Sequence, residues 1–167
     1  TKDICTDPIR RVYAPRLQSG DVVITLNGKP LEPLEKPDFT ESIDETVDFK
    51  GRKIRLHGGI FDPSDKMRRF WYGYNPFYKG RLIGDGRITS SGIQDEACSN
   101  FSFQVDLIDD EEEWVLATNK DAVDDIGEAI ETCYWDHTRP LLKKAAEQAH
   151  NIELRSVEDA VNARLRA

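Results

Sequence analysis

The chain has 167 residues, 38% of them hydrophobic, and carries a formal net charge of −8 at pH 7. This length suits one domain with its own core, and the charge opposes binding to nucleic acid or anionic membranes unless a local basic surface overrides it. No apolar run approaches the roughly 20 residues of a membrane span, and the N-terminus lacks a signal peptide's apolar core. We therefore expect an intracellular protein without membrane contact, cytoplasmic or, in a eukaryote, nuclear.

The residues that usually mark catalytic or metal sites are scattered. Cys5, Cys98 and Cys133 are far apart, which argues against both a disulfide framework and a zinc site. The three histidines are dispersed, and no nucleophile, zinc-protease or phosphate-loop motif is present. We expect no metal in this chain and no complete enzyme in it. Because the sequence does not begin with methionine, it is expected to be a piece of something longer.

The first third of the chain contains one helix signal and one hairpin signal. Asp7 followed by Pro8 is typical of a helix start. An apolar run over residues 22–26 predicts a strand of the sheet, which Asn27–Gly28 closes with the strongest short hairpin signal. Residues 30–48 hold prolines and many acidic residues, so we expect an irregular excursion or a sheet edge there.

Alternating apolar residues predict two central strands and a third short one. Ile54 and Leu56 alternate with charged residues, and Gly58–Gly59 indicates a bend or bulge. The pattern FSFQVDLI predicts a strand over residues 101–108, and the apolar run at 114–117 predicts another.

Helical periodicity dominates the C-terminal part. Asp124 or Asp125 suits a helix N-cap, and the helical pattern extends to about His150 with a kink or break at Pro140. Ser156 would cap a separate short helix. We expect an α+β fold, with a mixed, mostly antiparallel sheet of four to five strands, helices on one face and a long C-terminal helix. Residues 1–150 would form the domain and residues 151–167 a short helix or tail.

Residues 62–81 are unusual because six aromatic residues lie among five basic ones. Such a mixture can stack bases and contact phosphates, with DNA or single-stranded nucleic acid as a candidate partner. The residues that would contact a nucleic acid or protein partner are Arg68, Arg69, Trp71, Tyr74, Lys79 and Arg81. The alternative, which we favour in an acidic domain, is that the aromatic residues are partly buried while the cations remain in water.

Lys120 is the main functional candidate. It follows Thr118 and Asn119 at the end of an apolar run and precedes an acidic, helix-forming segment. A lysine on a short loop between two rigid elements can reach an anion outside its own domain, most commonly a phosphate. The alternative is a solvated loop lysine beside acidic residues.

The order of these pieces resembles the second, or transducer, domain of GHKL-superfamily ATPases, and most closely the microrchidia type. The matching segments are the helix up to Tyr13, DVVITLNGKPL, GGI, FYKGRLIGDGR, FSFQVDLI and WVLATNKDAVDD. They extend over roughly residues 9–135. Gly80 stands where that family often has asparagine.

The resemblance implies a ribosomal-protein-like sheet covered by helices, in which Lys120 contacts the terminal phosphate of ATP, with Thr118 and Asn119 shaping the loop. ATP and Mg²⁺ would be held by an N-terminal nucleotide-binding domain on the same or another chain, since the motifs of that domain are absent here. The parent protein is expected to form a homodimer. A stand-alone binding module that uses residues 68–81 is the alternative function.

Overall fold

The computed structural model describes residues 6–62, 72–84, 100–110, 114 and 120–165. The N-terminal part comprises α1 (Thr6–Val12), α2 (Ala14–Ser19), β1 (Thr25–Leu26) and β2 (Lys29–Pro30). The main strands are β3 (Phe39–Phe49), β4 (Arg52–Phe61), β5 (Gly73–Tyr78), β6 (Arg81–Leu82) and β7 (Phe101–Ile108). The C-terminal part comprises α3 (Lys120–Cys133), a π-helical turn (Tyr134–Thr138) and α4 (Arg139–Leu165).

The main sheet has five strands in the order β3-β4-β7-β5-β6. All neighbouring pairs are antiparallel except β5 and β7, which are parallel. The predicted α+β fold, with its mixed, mostly antiparallel sheet and long C-terminal helix, is confirmed.

One face of this sheet forms the main core. Alternate residues of β4 and β7, such as Leu56 and Phe103, are fully buried on it. Side chains of the C-terminal helices, including Ala129, Cys133 and Ala145, pack in the same cluster. Every second residue of the strands therefore packs against the apolar side of the helices, and together they form one apolar layer.

The opposite face of the sheet is polar. Arg55 and His57 of β4 lie on it beside Gln104 and Asp106 of β7, because these residues alternate with the core positions. Towards β5 and β6 this face is covered, since Ala14 of α2 and Phe77 of β5 form a second small cluster.

The hairpin turn at Asn27–Gly28 is confirmed, but the strand before it is shorter than predicted. Only Thr25 and Leu26 are in β1, which pairs with β2 in a separate two-stranded sheet. Val23 is 74% exposed. The apolar run at residues 22–26 therefore belongs to a surface hairpin and not to the main sheet.

The prediction for residues 30–48 is half right. Residues 31–38 have no regular structure, whereas β3 is an eleven-residue strand at the sheet edge. The register shift lies between Phe39 and Glu41 of β3, whereas the predicted bend or bulge at Gly58–Gly59 is not seen in the register, although Gly58 has a φ of +140°.

The C-terminal helices form one nearly continuous element. The π-helical turn joins α3 to α4 just before Pro140, whose missing N–H and bulky ring disturb the regular hydrogen-bond ladder. The N–H of Arg139 donates to the carbonyl of Tyr134. Because α4 continues through Ser156, the predicted separate tail helix is the end of α4.

Candidate functional site

Lys120 is the first residue of α3, so it lies at a helix start and not in a loop as predicted. The helix begins before the expected caps, and Asp125 lies within it. Thr118 and Asn119 lie outside the described residues, as do residues 115–117 of the strand predicted for 114–117. Trp114 is buried but outside any strand. The candidate site is thus defined by what fixes the start of α3.

Two cations of the β3–β4 hairpin hold the first half of α3. Arg52 contacts Asp125 at 3.1 Å, and Lys50 contacts the same carboxylate at 3.3 Å and also pairs with Glu128. Partial burial disfavours the charged form of Asp125, but hydrogen bonds from Arg52 and Lys50 outweigh it, so the pKa of Asp125 lies below its usual value. The hydrogen bond to Glu128 and that to Asp125 raise the pKa of Lys50.

Trp114 fixes the chain on its way from β7 to α3. Its ring stacks on Phe49 with 5.9 Å between the centroids, and the guanidinium of Arg52 lies 4.5 Å from its ring centroid. The indole N–H donates to the carbonyl of Ile108 at 3.0 Å, and the backbone N–H donates to Asp109 at 3.1 Å. That backbone hydrogen bond is the main cause that lowers the pKa of Asp109.

Arg52 joins these two anchors. It pairs with Asp125 on the helix and stacks on Trp114 before the helix, and its side chain is only 11% exposed. The backbone on both sides of residues 115–119 is therefore tied to the same hairpin. Sequence reasoning missed Arg52 and Trp114 as positioning residues, because the pattern gives no signal for contacts over this separation.

The aromatic and basic segment is divided by the structure. Tyr74 is fully buried, so its proposed contact with a nucleic acid or protein partner is wrong: the side chain is part of the core. Its hydroxyl contacts Thr138 of the π-helical turn, and burial raises the pKa of Tyr74 well above its usual value. This burial agrees with the alternative that we favoured for the aromatic residues.

The two basic residues of this segment that the structure describes lie at the β5–β6 hairpin. Lys79 is exposed and pairs with Asp109 at 3.2 Å; a hydrogen bond to Tyr78 and one to Asp109 raise the pKa of Lys79 to about 12. Arg81 is exposed on β6. Arg68, Arg69 and Trp71 lie outside the described residues. A continuous basic surface is therefore not seen in the described part of this segment.

No group of three or more histidine, cysteine or acidic residues suited to a metal ion occurs within the described ranges. None of the helices described has the length and apolar character needed to cross a membrane. Comparison with known proteins found no matching family model, no matching curated protein and no matching solved structure.

Proposed function

We propose that the chain is the transducer domain of a GHKL-type ATPase. In this role Lys120 senses the terminal phosphate of ATP, which an adjacent nucleotide-binding domain holds together with Mg²⁺. The proposal rests on the order of motifs that resembles this superfamily, and the resemblance alone supplies the identity of the ligand.

The observation that carries the proposal is the position of Lys120 at the first turn of a long helical element. The helix start is tied to the sheet by Arg52 and Lys50 through Asp125. The helices continue from there to Leu165, with a single π-helical turn between them. A force that acts at Lys120 would therefore act on a supported helix and not on a free loop.

The energetics are adequate for such a sensor. A charge-assisted contact between a lysine and a phosphate is worth about 1.5 to 3 kcal/mol. This amount shifts an equilibrium between two domain arrangements by more than about tenfold. Loss of the terminal phosphate on hydrolysis would remove the contact, and the change would be coupled to dimerisation of the parent or to movement of an effector.

The test is ATP hydrolysis by the complete gene product that contains these residues. We expect Lys120→Ala to reduce hydrolysis about tenfold or more, since one charge-assisted contact is lost, while circular dichroism and thermal unfolding stay unchanged. Lys143→Ala, which removes an exposed lysine from α4, is the matched control and should have full activity. Nucleotide-dependent dimerisation should weaken in the same order.

Two outcomes would overturn the proposal. One is a gene product that neither contains nor recruits a nucleotide-binding domain. The other is unchanged hydrolysis and dimerisation in a folded Lys120→Ala protein.

The alternative is a nucleic-acid-binding module that uses residues 68–81. The burial of Tyr74 and the pairing of Lys79 with Asp109 disfavour it, although three of its six residues lie outside the described ranges. Affinity for single-stranded DNA that falls steeply with added salt would support the alternative.

A further inference from the structure

A small cleft lies on the polar face of the sheet, away from the start of α3. Residues 36 and 37, which precede β3, form one side, and β4 and β7 form the floor. The polar residues that line it are Lys36, His57, Ser102 and Gln104. Pro37 and Phe39 provide an apolar rim. These residues are distant in sequence and come together only through the sheet.

His57 is held in a defined orientation in this cleft. Its Nε2 contacts Asp106 at 2.9 Å, and Gln104 donates to the other oxygen of the same carboxylate at 2.9 Å. As the carboxylate accepts the Nε2 proton, Nδ1 remains available on the other side of the ring. No residue in the described part of the chain hydrogen-bonds Nδ1. A protonated His57 can therefore donate Nδ1–H to a ligand.

Lys36 brings a second positive charge to the cleft. Lys36 is an exposed residue that borders the cleft. Desolvation lowers the pKa of Lys36, Asp106 acts in the opposite direction, and Arg55 adds to the lowering. A partly desolvated ammonium near another cation gains more from a bound anion than a solvated one does.

Two carboxylates of this face are paired with cations that do not line the cleft. Arg55 is paired with Asp44 through two contacts of 2.9 and 2.8 Å, and Lys53 is paired with Asp110 at 2.8 Å. Asp106 is shared between His57 and Gln104. Asp44 and Asp110 are thus paired elsewhere, Asp106 contacts His57, and no carboxylate is among the described residues that line the cleft.

Gly58, which lies in the floor of the cleft, allows the backbones of β4 and β7 to come close together there. Its φ of +140° is a conformation that other residues rarely adopt. A Cβ atom built there would lie 2.1 Å from the carbonyl oxygen of Ser102, so β4 and β7 approach closely at this point. Ser102 is only 5% exposed and is one of the residues that line the cleft.

We propose that this cleft binds a small oxyanion group, a phosphate or a carboxylate, through Lys36, protonated His57 and the hydroxyl of Ser102. The cleft is small, with a volume of about 20 Å³, so the rest of a ligand would stay outside it. The apolar rim of Pro37 and Phe39 would contact the part of the ligand that carries the group.

The test is a titration of the isotope-labelled chain with inorganic phosphate and, separately, with acetate at constant ionic strength. Amide chemical shifts are followed at about pH 6, where histidine can carry its proton. We expect saturable shifts centred on Gly58, Ser102 and Gln104. Saturation by phosphate alone would assign the site to phosphate groups, and saturation by both anions would assign it to oxyanions in general.

Two variants make the result decisive. Lys36→Met, at an exposed position that should not affect folding, is expected to weaken binding about tenfold or more. Lys53→Met removes another lysine of the same face and should leave the affinity unchanged. His57→Gln should also weaken binding, as judged in a protein shown to be folded. Shifts that do not saturate, or that are the same in Lys36→Met as in the wild type, would overturn the proposal.

Discussion

The two faces of the main sheet are built from the same strands but by different means. On the helix-covered face, residues such as Ile54, Leu56 and Phe103 are fully buried and contact one another through apolar surface. On the other face, alternate residues of the same strands form pairs such as Arg55 with Asp44 and His57 with Asp106. Each strand therefore takes part in two environments that differ at every second residue.

This difference separates stability from function. Burial of large apolar side chains supplies most of the folding free energy, whereas ion pairs that are half exposed contribute little because water and salt screen them. The polar face can therefore change with little loss of stability, and it is the face that carries the cleft of Lys36 and His57. Three substitutions test whether the buried residues of the core contribute more to the free energy of unfolding than the residues of the polar face do.

The largest effect is expected from Phe103→Ala. Phe103 is fully buried and its ring lies 5.4 Å from Tyr74 and 5.8 Å from Phe101. Loss of its side chain leaves a cavity in the main core, so the free energy of unfolding should fall by about 3 to 5 kcal/mol. Urea unfolding followed by circular dichroism measures the change.

Gln104→Ala is the matched control, because the next residue of the same strand lies on the other face. We expect a loss below about 1 kcal/mol. Similar losses in the two variants would show that the polar face contributes to stability as much as the core does.

The same alternation explains which strands the sequence predicts. In β4 and β7, apolar and polar residues alternate over most of the strand, so the sequence predicts both strands. In β3 the alternation is hidden, because Glu45 interrupts the inward-facing Ile43, Val47 and Phe49, and hydroxyl and acidic residues fill the alternate positions. An edge strand tolerates such charges, so the composition indicated an irregular segment.

The start of α3 shows a second limit of what the sequence alone predicts. Asp124 and Asp125 have the composition of an N-cap, but Asp125 lies inside the helix and is paired with Arg52 and Lys50. Asp125, which resembles a helix cap in the sequence, therefore forms ion pairs with residues more than seventy positions earlier in the chain. Lys120 itself was chosen from a motif, whereas its supports Arg52 and Trp114 depend on contacts that only the folded chain brings together.

A second prediction concerns Gly58, where β4 and β7 approach closely. Gly58→Ala should reduce the free energy of unfolding by about 2 to 3 kcal/mol, because alanine is strained at a positive φ and its Cβ would meet the Ser102 carbonyl oxygen at 2.1 Å. Thermal unfolding measures the loss. Gly28→Ala separates the two causes: its φ is also positive, at +77°, but nothing lies within 4 Å of the added Cβ.

We expect Gly28→Ala to cost about 1 kcal/mol from backbone strain alone. Equal losses at the two glycines would mean that β4 and β7 can separate at Gly58 without cost, and the floor of the cleft would then be adjustable.

The smallest of the three main effects is expected at Tyr74, whose hydroxyl makes a polar contact inside the apolar face. Its hydroxyl contacts Thr138, and Thr138 also lies 3.4 Å from the carbonyl oxygen of Cys133. Tyr74→Phe therefore leaves Thr138 with a partner, so the free energy of unfolding should fall by only about 1 kcal/mol. Tyr78→Phe, which loses a hydrogen bond to Asp109 at the partly exposed hairpin, should lose less, since water can replace that bond.

The pH dependence distinguishes burial of the hydroxyl from simple loss of packing. Burial raises the pKa of Tyr74 above its value in the unfolded chain, about 10. Below that pH both states keep the proton, and above it only the unfolded chain releases it, so the stability that depends on Tyr74 declines as the pH rises. The buried thiol of Cys133, whose pKa burial raises to about 12, acts in the same direction in both proteins and cancels in the comparison.

Urea unfolding between about pH 8 and about pH 11 should therefore show a shallower decline for Tyr74→Phe than for the wild type. Parallel declines would mean that water reaches the hydroxyl, and the contact between the π-helical turn and the sheet would then belong with the solvent-exposed pairs of the polar face.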